Sequence, residues 1–346
     1  MTEAVRVVRL FGARDVRVEE GRVGQPGPGE VALDRVVGGI CGSDLHYFEE
    51  GGIGGLPMRA PIVLGHEAAG RIRALGPGVT GLSPGDLVAI NPAVTCGDCP
   101  ACRAGQSQHC PEMRFSGSIL RVPHVDGFFR SGLVVDARRC HRFSSGTTAS
   151  AAAVTEPLAV CLHGLRQAGE TAGRDVLVTG AGPIGALTVA AARAAGAGRI
   201  TVTDLSRAAL DRAEEMGADD GLDVSTEAGR KALAELRCDL AFDCSAAAPA
   251  IAAGVEALRP RGTMVLVGVG PMTAMPLNRI VAKELHLVGT HRFGPEFAEA
   301  AQAIDSGRID PRPIISHVLP GSEARRALEL ALDRSRAAKV QLEMSE

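Results

Sequence analysis

An apolar stretch, Val176-Leu177-Val178-Thr179, runs directly into Gly180-Ala181-Gly182-Pro183-Ile184-Gly185 and then into an Ala-rich segment. No other part of the chain restricts the backbone so strongly. In a glycine triplet spaced this way between a strand and a helix, the first permits a tight turn and the second leaves the backbone open to a phosphate. The third lets helix and strand pack closely. The start of the helix offers free N–H groups to an anion. Asp204 ends the next apolar run, where a carboxylate takes hydrogen bonds from ribose hydroxyls and repels a 2′-phosphate. Gly180, Gly182, Pro183, Ile184, Gly185 and Asp204 therefore read as a dinucleotide site that favours NAD, and Arg207, just beyond, leaves room for NADP.

The same region sets a rhythm. Strand-like runs at 175–180, 199–204, 239–245, 263–269 and 285–290, with a weaker one at 222–224, alternate with helical runs at 184–195, 206–216, 226–236 and 248–258. That alternation implies an α/β fold, a doubly wound parallel Rossmann sheet of about six strands. Before residue 150 the text is different. Short alternating strands at 5–10, 15–18 and 86–90 are separated by Pro- and Gly-rich turns, which implies a β-rich domain with many loops. After residue 293 come helical patterns at 295–306 and 322–334 and a short strand at 338–342, which are expected to rejoin that first domain. The expected domains are thus 1–155 with 292–346, and 156–291. A length of 346 residues also implies about two domains.

Composition removes whole classes of function. A net charge of −3, from 37 basic and 40 acidic side chains, excludes a broad nucleic-acid footprint. Aromatic residues are only 3% of the chain, against binding by stacking. No run approaches the ~20 apolar residues of a membrane helix, and the first residues lack the apolar core of a signal peptide. Cytoplasm is the expected compartment.

Four of the nine cysteines fall at Cys96, Cys99, Cys102 and Cys110. Four thiolates at short spacing make a closed tetrahedral metal site with no position for substrate, so the reading is a structural zinc that shapes a lobe. An iron–sulfur cluster is the alternative. Cys140, Cys161, Cys238 and Cys244 read as small core residues without disulfides. A second set is dispersed: Cys41, Ser43, Asp44 and His46 share one segment, Gly65-His66-Glu67 follows an apolar run, and Glu156 opens a helical one. Beside a dinucleotide fold, these offer one sulfur, one nitrogen and one or two oxygen ligands for an open zinc site.

In their order and spacing, the Gly65-His66-Glu67 triplet, the four-cysteine lobe and the glycine triplet resemble the zinc-dependent medium-chain alcohol and polyol dehydrogenases over nearly the full chain. Cys41-Gly-Ser-Asp-Leu-His-Tyr47, Glu156-Pro-Leu-Ala-Val160 and Val202-Thr-Asp-Leu-Ser206 are similar to the sorbitol dehydrogenase branch. Asn91-Pro92, Met113-Arg-Phe115, Gly117-Ser118, Pro123-His-Val-Asp-Gly127 and Ala337-Ala-Lys-Val-Gln-Leu342 are similar to the L-idonate 5-dehydrogenases within it. The resemblance implies a GroES-like catalytic domain beside the Rossmann domain, with NAD or NADP and two zinc ions per chain, one catalytic and one structural. Cys41, His66 and Glu67 would ligate the catalytic zinc, with Glu156 binding directly or through its water. Ser43 and His46 match proton-relay positions, and Tyr47, Phe115, Glu156, Arg292 and Phe293 match positions that line a polyol pocket. Phe128 and Phe293 depart from the family pattern and are expected to alter the pocket edge.

The implied reaction moves hydride between a secondary alcohol of an aldonate or polyol and NAD(P), with L-idonate as substrate. Sorbitol or xylitol oxidation and L-threonine 3-dehydrogenation are the alternatives. An aldonate carboxylate needs a cation, and Arg292 is the first candidate because a guanidinium binds carboxylates bidentately, with Arg114 and His124 behind it. The expected partners are a small molecule and further copies of the chain, as a homodimer or homotetramer, with neither nucleic acid nor membrane.

Overall fold

The computed structural model describes residues 2–144, 146–270 and 274–345. The chain divides into two compact units, Met1–Glu156 with Phe297–Gly307 and Ile315–Glu346, and Pro157–Glu296 with Arg308–Ile314. Residues 292–296 and Arg308–Ile314 thus group with the second unit, where the sequence pattern assigned them to the first. Their side chains explain it: Glu296 is bonded to His163 and Arg166, and the turn Arg312–Ile314 packs on the helix Arg207–Glu215. Among the described residues no helix is long and apolar enough to cross a membrane.

The first unit is built on one large sheet. Its strands run in the order Cys140–Arg142, Leu87–Ile90, Glu67–Leu75, Glu30–Gly39, Lys339–Met344 and Ile315–Pro320, with Gly132–Asp136 also paired to Glu30–Gly39. Only the last pair, Lys339–Met344 with Ile315–Pro320, is parallel. Glu30–Gly39 is buried over Val31–Leu33 and Val36–Gly39, two apolar runs broken by Asp34 and Arg35. It ends in two glycines because its neighbours need the space. A Cβ on Gly38 would lie 2.6 Å from the Phe129 ring, and one on Gly39 would lie 2.0 Å from the Glu67 carboxylate. Leu10, Leu33, Phe48, Leu64, Ile90, Phe129 and Leu342 fill the core at full burial, each worth about 1.5–3 kcal/mol.

The helix Gly42–Glu50 has no strong hydrophobic period, and the sequence pattern did not announce it. It forms because its ends are capped. The Asp44 carboxylate accepts the Cys41 N–H at 3.0 Å, and Gly51, left-handed at φ 67°, closes the last turn on the Tyr47 carbonyl.

The second unit is a six-stranded, all-parallel sheet. The order is Asp220–Asp223, Ile200–Asp204, Val176–Thr179, Cys238–Asp243, Leu258–Leu266, His286–Gly289. Chain order reverses at Val176–Thr179, the switch point outside which ligands bind in doubly wound sheets. Helices Pro183–Ala194, Arg207–Glu215, Glu227–Glu235 and Ala248–Ala257 make the crossovers. Each element expected from sequence lies within a few residues of its observed bounds, but the fifth strand starts at Leu258, earlier than 263. A short helix, Leu277–Ala282, follows it. Leu177, Ala241, Val255, Leu258 and Met264 form the core under this sheet.

Candidate active site and metal centres

Cys41, His66 and Glu67 come together at the end of the glycine-tailed strand. Their ligand atoms all lie within 4.8 Å of one another. Cys41 caps the helix Gly42–Glu50, while His66 and Glu67 sit where the chain enters Glu67–Leu75, paired to Gly39. The fully buried Asp44 joins the two segments: one oxygen takes the Cys41 N–H, and the other takes the Gly65 N–H at 3.3 Å and lies 3.9 Å from His66 Nδ1. Glu67, 1% exposed, is held by a residue that no local pattern marks. The buried Lys339, 272 positions further along, donates to Oε1 at 2.7 Å, to Oε2 at 2.8 Å and to the Ile40 carbonyl at 3.1 Å.

This donor set fits a catalytic zinc. One thiolate, one imidazole and one carboxylate leave a tetrahedral position open, and zinc bonds of 2.0–2.3 Å put such donors roughly 3.3–3.8 Å apart. Glu156, at the start of the helix Thr155–Ala168, is buried beside the set, but the structure does not bring it into the group of three. Burial, reinforced by the Glu67 and Asp44 charges, pushes its carboxyl up to about 7, against the pull of His66 and Lys339. Burial also works against a charged His66, yet the Cys41 sulfur and the Asp44 and Glu156 carboxylates hold it well above the usual imidazole range. Removing solvent likewise raises Asp44. A crowd of negative groups in one buried place is what a bound cation relieves.

Other predicted residues surround this centre. The Phe115 ring lies 5.7 Å from that of His66, tilted by 58°. Tyr47 is 3% exposed, hydrogen-bonded at its hydroxyl by Ser118 and Ile119. Ser43 is half-buried and His46 exposed, one turn apart on the same helix, with His46 Nδ1 2.9 Å from Glu50. His124 is committed elsewhere: Nε2 takes the Arg59 N–H at 2.9 Å, and Nδ1 donates to the Arg121 carbonyl at 2.8 Å. That removes it as a carboxylate ligand. Phe128 is buried beneath the Arg139 guanidinium, 5.4 Å from the ring centre.

The four-cysteine lobe forms a second centre. The sulfurs of Cys96, Cys99, Cys102 and Cys110 lie within 4.8 Å of one another. The Cys96 sulfur stands 3.9 Å from that of Cys102 and 3.6 Å from that of Cys110, matching the roughly 3.8 Å edge of a tetrahedron with 2.3 Å zinc–sulfur bonds. Backbone N–H groups of Cys96, Cys99 and Cys102 point at the sulfurs of Cys110, Cys96 and Cys99 at 3.4–3.5 Å, where they offset the negative charge of thiolates. Without a metal, burial and neighbouring thiols push Cys102 up to about 11.

In the second unit, Gly180 is left-handed at φ 90° and a Cβ on Gly185 would lie 1.8 Å from the Gly180 carbonyl, while Gly182 faces open space. Gly182 caps the helix that Pro183 and Ile184 begin. Asp204 accepts the Ala181 N–H at 2.7 Å and those of Leu205 and Ser206 at 2.7 and 3.0 Å, which ties the glycine turn to the next strand. Arg207 is engaged by Asp211 at 2.7 Å and Glu214 at 2.6 Å. Arg292 is half-buried with a left-handed backbone at φ 55°, and Phe293 is 2% exposed.

Comparison with known proteins identifies the class. Residues 27–145 match the alcohol dehydrogenase GroES-like domain and residues 183–306 the zinc-binding dehydrogenase domain. The chain belongs to the zinc-type medium-chain alcohol and polyol dehydrogenases, NAD(P)-dependent oxidoreductases whose cofactors are zinc and NAD(P). Among particular relatives, L-idonate 5-dehydrogenase (NAD(P)(+)) of Escherichia coli K12 is 39% identical over 88% of this chain and 89% of its own. Human sorbitol dehydrogenase is 37% identical over 92% of this chain and 90% of its own. The crystal structure of the Escherichia coli L-idonate 5-dehydrogenase superposes with a TM-score of 0.94, at 36% identity, covering 99% of both chains.

Asp44 belongs to the set that the sequence singled out, and the structure makes it a capping residue rather than a ligand. Lys339 is the site residue whose role sequence reasoning missed. It had no local signal, because the pairing of Lys339–Met344 with Glu30–Gly39 creates its contact.

Proposed function

We propose that the chain oxidises a secondary alcohol of an aldonate or polyol, with L-idonate as the substrate and 5-keto-D-gluconate as the product. The observation that carries this reading is the convergence of Cys41, His66 and Glu67 into an open S, N, O donor set. Zinc held there supplies a Lewis acid to the substrate oxygen, and NAD(P) accepts the hydride. Cys41, His66 and Glu67 would hold the metal, and Glu156, buried beside them with its carboxyl pushed up to about 7, would hold or release a proton there. The Ser43 hydroxyl accepts the alcohol's proton as it passes its own on toward His46, exposed one turn along, which releases a proton to solvent. Tyr47 and Phe115, buried near His66, are the apolar walls of the substrate site.

Arg292 is the cation for an aldonate carboxylate, with Phe293 beside it; Arg114, exposed, is the second candidate. Gly180, Gly182, Pro183, Ile184 and Gly185 bind the pyrophosphate and Asp204 the ribose. The ion pairs of Arg207 with Asp211 and Glu214 leave its charge occupied, which favours NAD over NADP. The identity to human sorbitol dehydrogenase supports sorbitol or xylitol oxidation as the second reading. We place the enzyme in the cytoplasm as a homodimer or homotetramer. The edge strand His286–Gly289 and the exposed Leu277 and Val281 support self-association.

The test is a panel of L-idonate, D-gluconate, sorbitol, xylitol and L-threonine with NAD and with NADP, plus reduction of 5-ketogluconate. Turnover of L-idonate with sorbitol inert is the expected result. Sorbitol or xylitol turnover without idonate would replace the aldonate reading with the polyol one.

A further inference from the structure

One cluster, a buried carboxylate with its charged partners, has no part in the chemistry above. Glu296 is 1% exposed. Its Oε1 accepts a hydrogen bond from the Arg166 guanidinium at 2.7 Å and one from His163 Nδ1 at 3.1 Å, and its Oε2 accepts the Gly294 N–H at 2.7 Å. With Nδ1 donating, the His163 ring accepts at Nε2 from the Gln167 amide at 3.3 Å, which fixes the tautomer. His163, Arg166 and Gln167 stand at the i, i+3 and i+4 positions of one face of the helix Thr155–Ala168. One carboxylate therefore binds that helix and the segment that carries Arg292 and Phe293.

That segment is under strain. A left-handed backbone at a residue with a Cβ is unfavourable and persists only where its surroundings over-determine it. Arg292 is such a residue, at φ 55°. Glu296 and the Gly294 N–H supply the fixed point just downstream. Apolar packing alone would anchor the chain at lower cost than a buried carboxylate, and the buried Phe293 and Phe297 already flank it in sequence.

We propose that Glu296 is a positioning residue for substrate selection, holding Arg292 in the backbone conformation in which it receives the carboxylate of an aldonate. The proposal rests on the reading of Arg292 as the carboxylate-binding cation. His163 and Arg166 neutralise Glu296 and fix the direction of its oxygens, and Gly294 transmits that direction to the loop.

The test is steady-state kinetics of the zinc-loaded enzyme with L-idonate and sorbitol for Glu296→Gln, Arg292→Ala, the double variant and Arg166→Met, with melting temperature and zinc content measured in parallel. Glu296→Gln keeps the shape but loses the charge. It is expected to raise the KM for L-idonate about tenfold, with kcat within about twofold, the KM for NAD and the zinc content unchanged, and a smaller effect on sorbitol. The double variant should be no worse than Arg292→Ala alone, because both act through one guanidinium. Arg166→Met keeps the carboxylate and gives the same direction with a smaller rise, which covers the case of a Glu296 variant that does not fold. A raised KM in Arg292→Ala with none in Glu296→Gln or Arg166→Met overturns the positioning role alone. Additive losses in the double variant do the same. An unchanged KM in Arg292→Ala overturns the reading of Arg292 and this proposal together.

Discussion

Lys339 gives Glu67 its charge balance, since all three of its donors are used within 3.1 Å on Glu67 and Ile40. Glu67 in return raises the Lys339 ammonium against the effect of burial. Lys339→Met would leave a buried carboxylate without its partner, and such losses cost about 3–5 kcal/mol. In chelator-treated protein, where no metal shares the charge, urea unfolding should show that loss; an unchanged midpoint would mean that Lys339 adds nothing to the stability of this site. The two residues proposed as a relay differ in exposure and so in replaceability. Ser43 is half-buried next to Cys41, whereas His46 has solvent as an alternative acceptor. Ser43→Ala is expected to lower kcat about 100-fold, within the range for a lost proton-transfer group, and His46→Ala only a few-fold. Full activity in both variants would remove the relay.

At the scale of elements, the helix Thr155–Ala168 bears two unlike carboxylates on its surroundings. Burial pushes Glu156 up, while hydrogen bonds from His163 and Gly294 overcome burial and hold Glu296 down at about 2. A carboxyl whose folded value lies below its ordinary 4.5 stabilises the fold fully above that pH, and the contribution is lost as pH falls through the folded value. For Glu296 this is about 3 kcal/mol at neutral pH. Parent and Glu296→Gln should therefore differ most above pH 5 and converge toward pH 2 in a series of melting temperatures. Parallel curves throughout would show that the carboxylate is not specially stabilised. The lobe of Cys96, Cys99, Cys102 and Cys110 depends on chemistry of another kind. Its short helix Pro100–Arg103 buries no side chain, so the metal takes the place of a core.

Each unit of the whole molecule has its own core and its own ligand. On the proposed assignments zinc would be held by residues of the first and the dinucleotide by residues of the second, so the two ligands should act on different transitions in calorimetry. Chelation is expected to lower one transition. Saturating NAD adds about 2.7 kcal/mol at a hundred times Kd, and should raise the other by about 5–10 °C. One transition that moves equally with both ligands would show that the units unfold together.

The Rossmann sheet, its glycine turn and the four-cysteine lobe were legible in the sequence because their signals are local, whereas the dispersed Cys41, His66 and Glu67 could be read as a set only beside them. Strand and helix periods, glycines needed for turns and metal ligands at short spacing are all set within a few residues of one another. Even the helix at Gly42–Glu50 left a local trace in its Cys41 and Asp44 caps. What the tertiary structure alone decided is which distant groups face each other. It placed Lys339 on Glu67, left Glu156 outside the group of three, committed His124 to backbone, and joined Glu296 to His163 and Arg166. These contacts follow from strand register and from where the chain returns to an existing sheet. Both are governed by long-range packing, which no local pattern of residue types encodes.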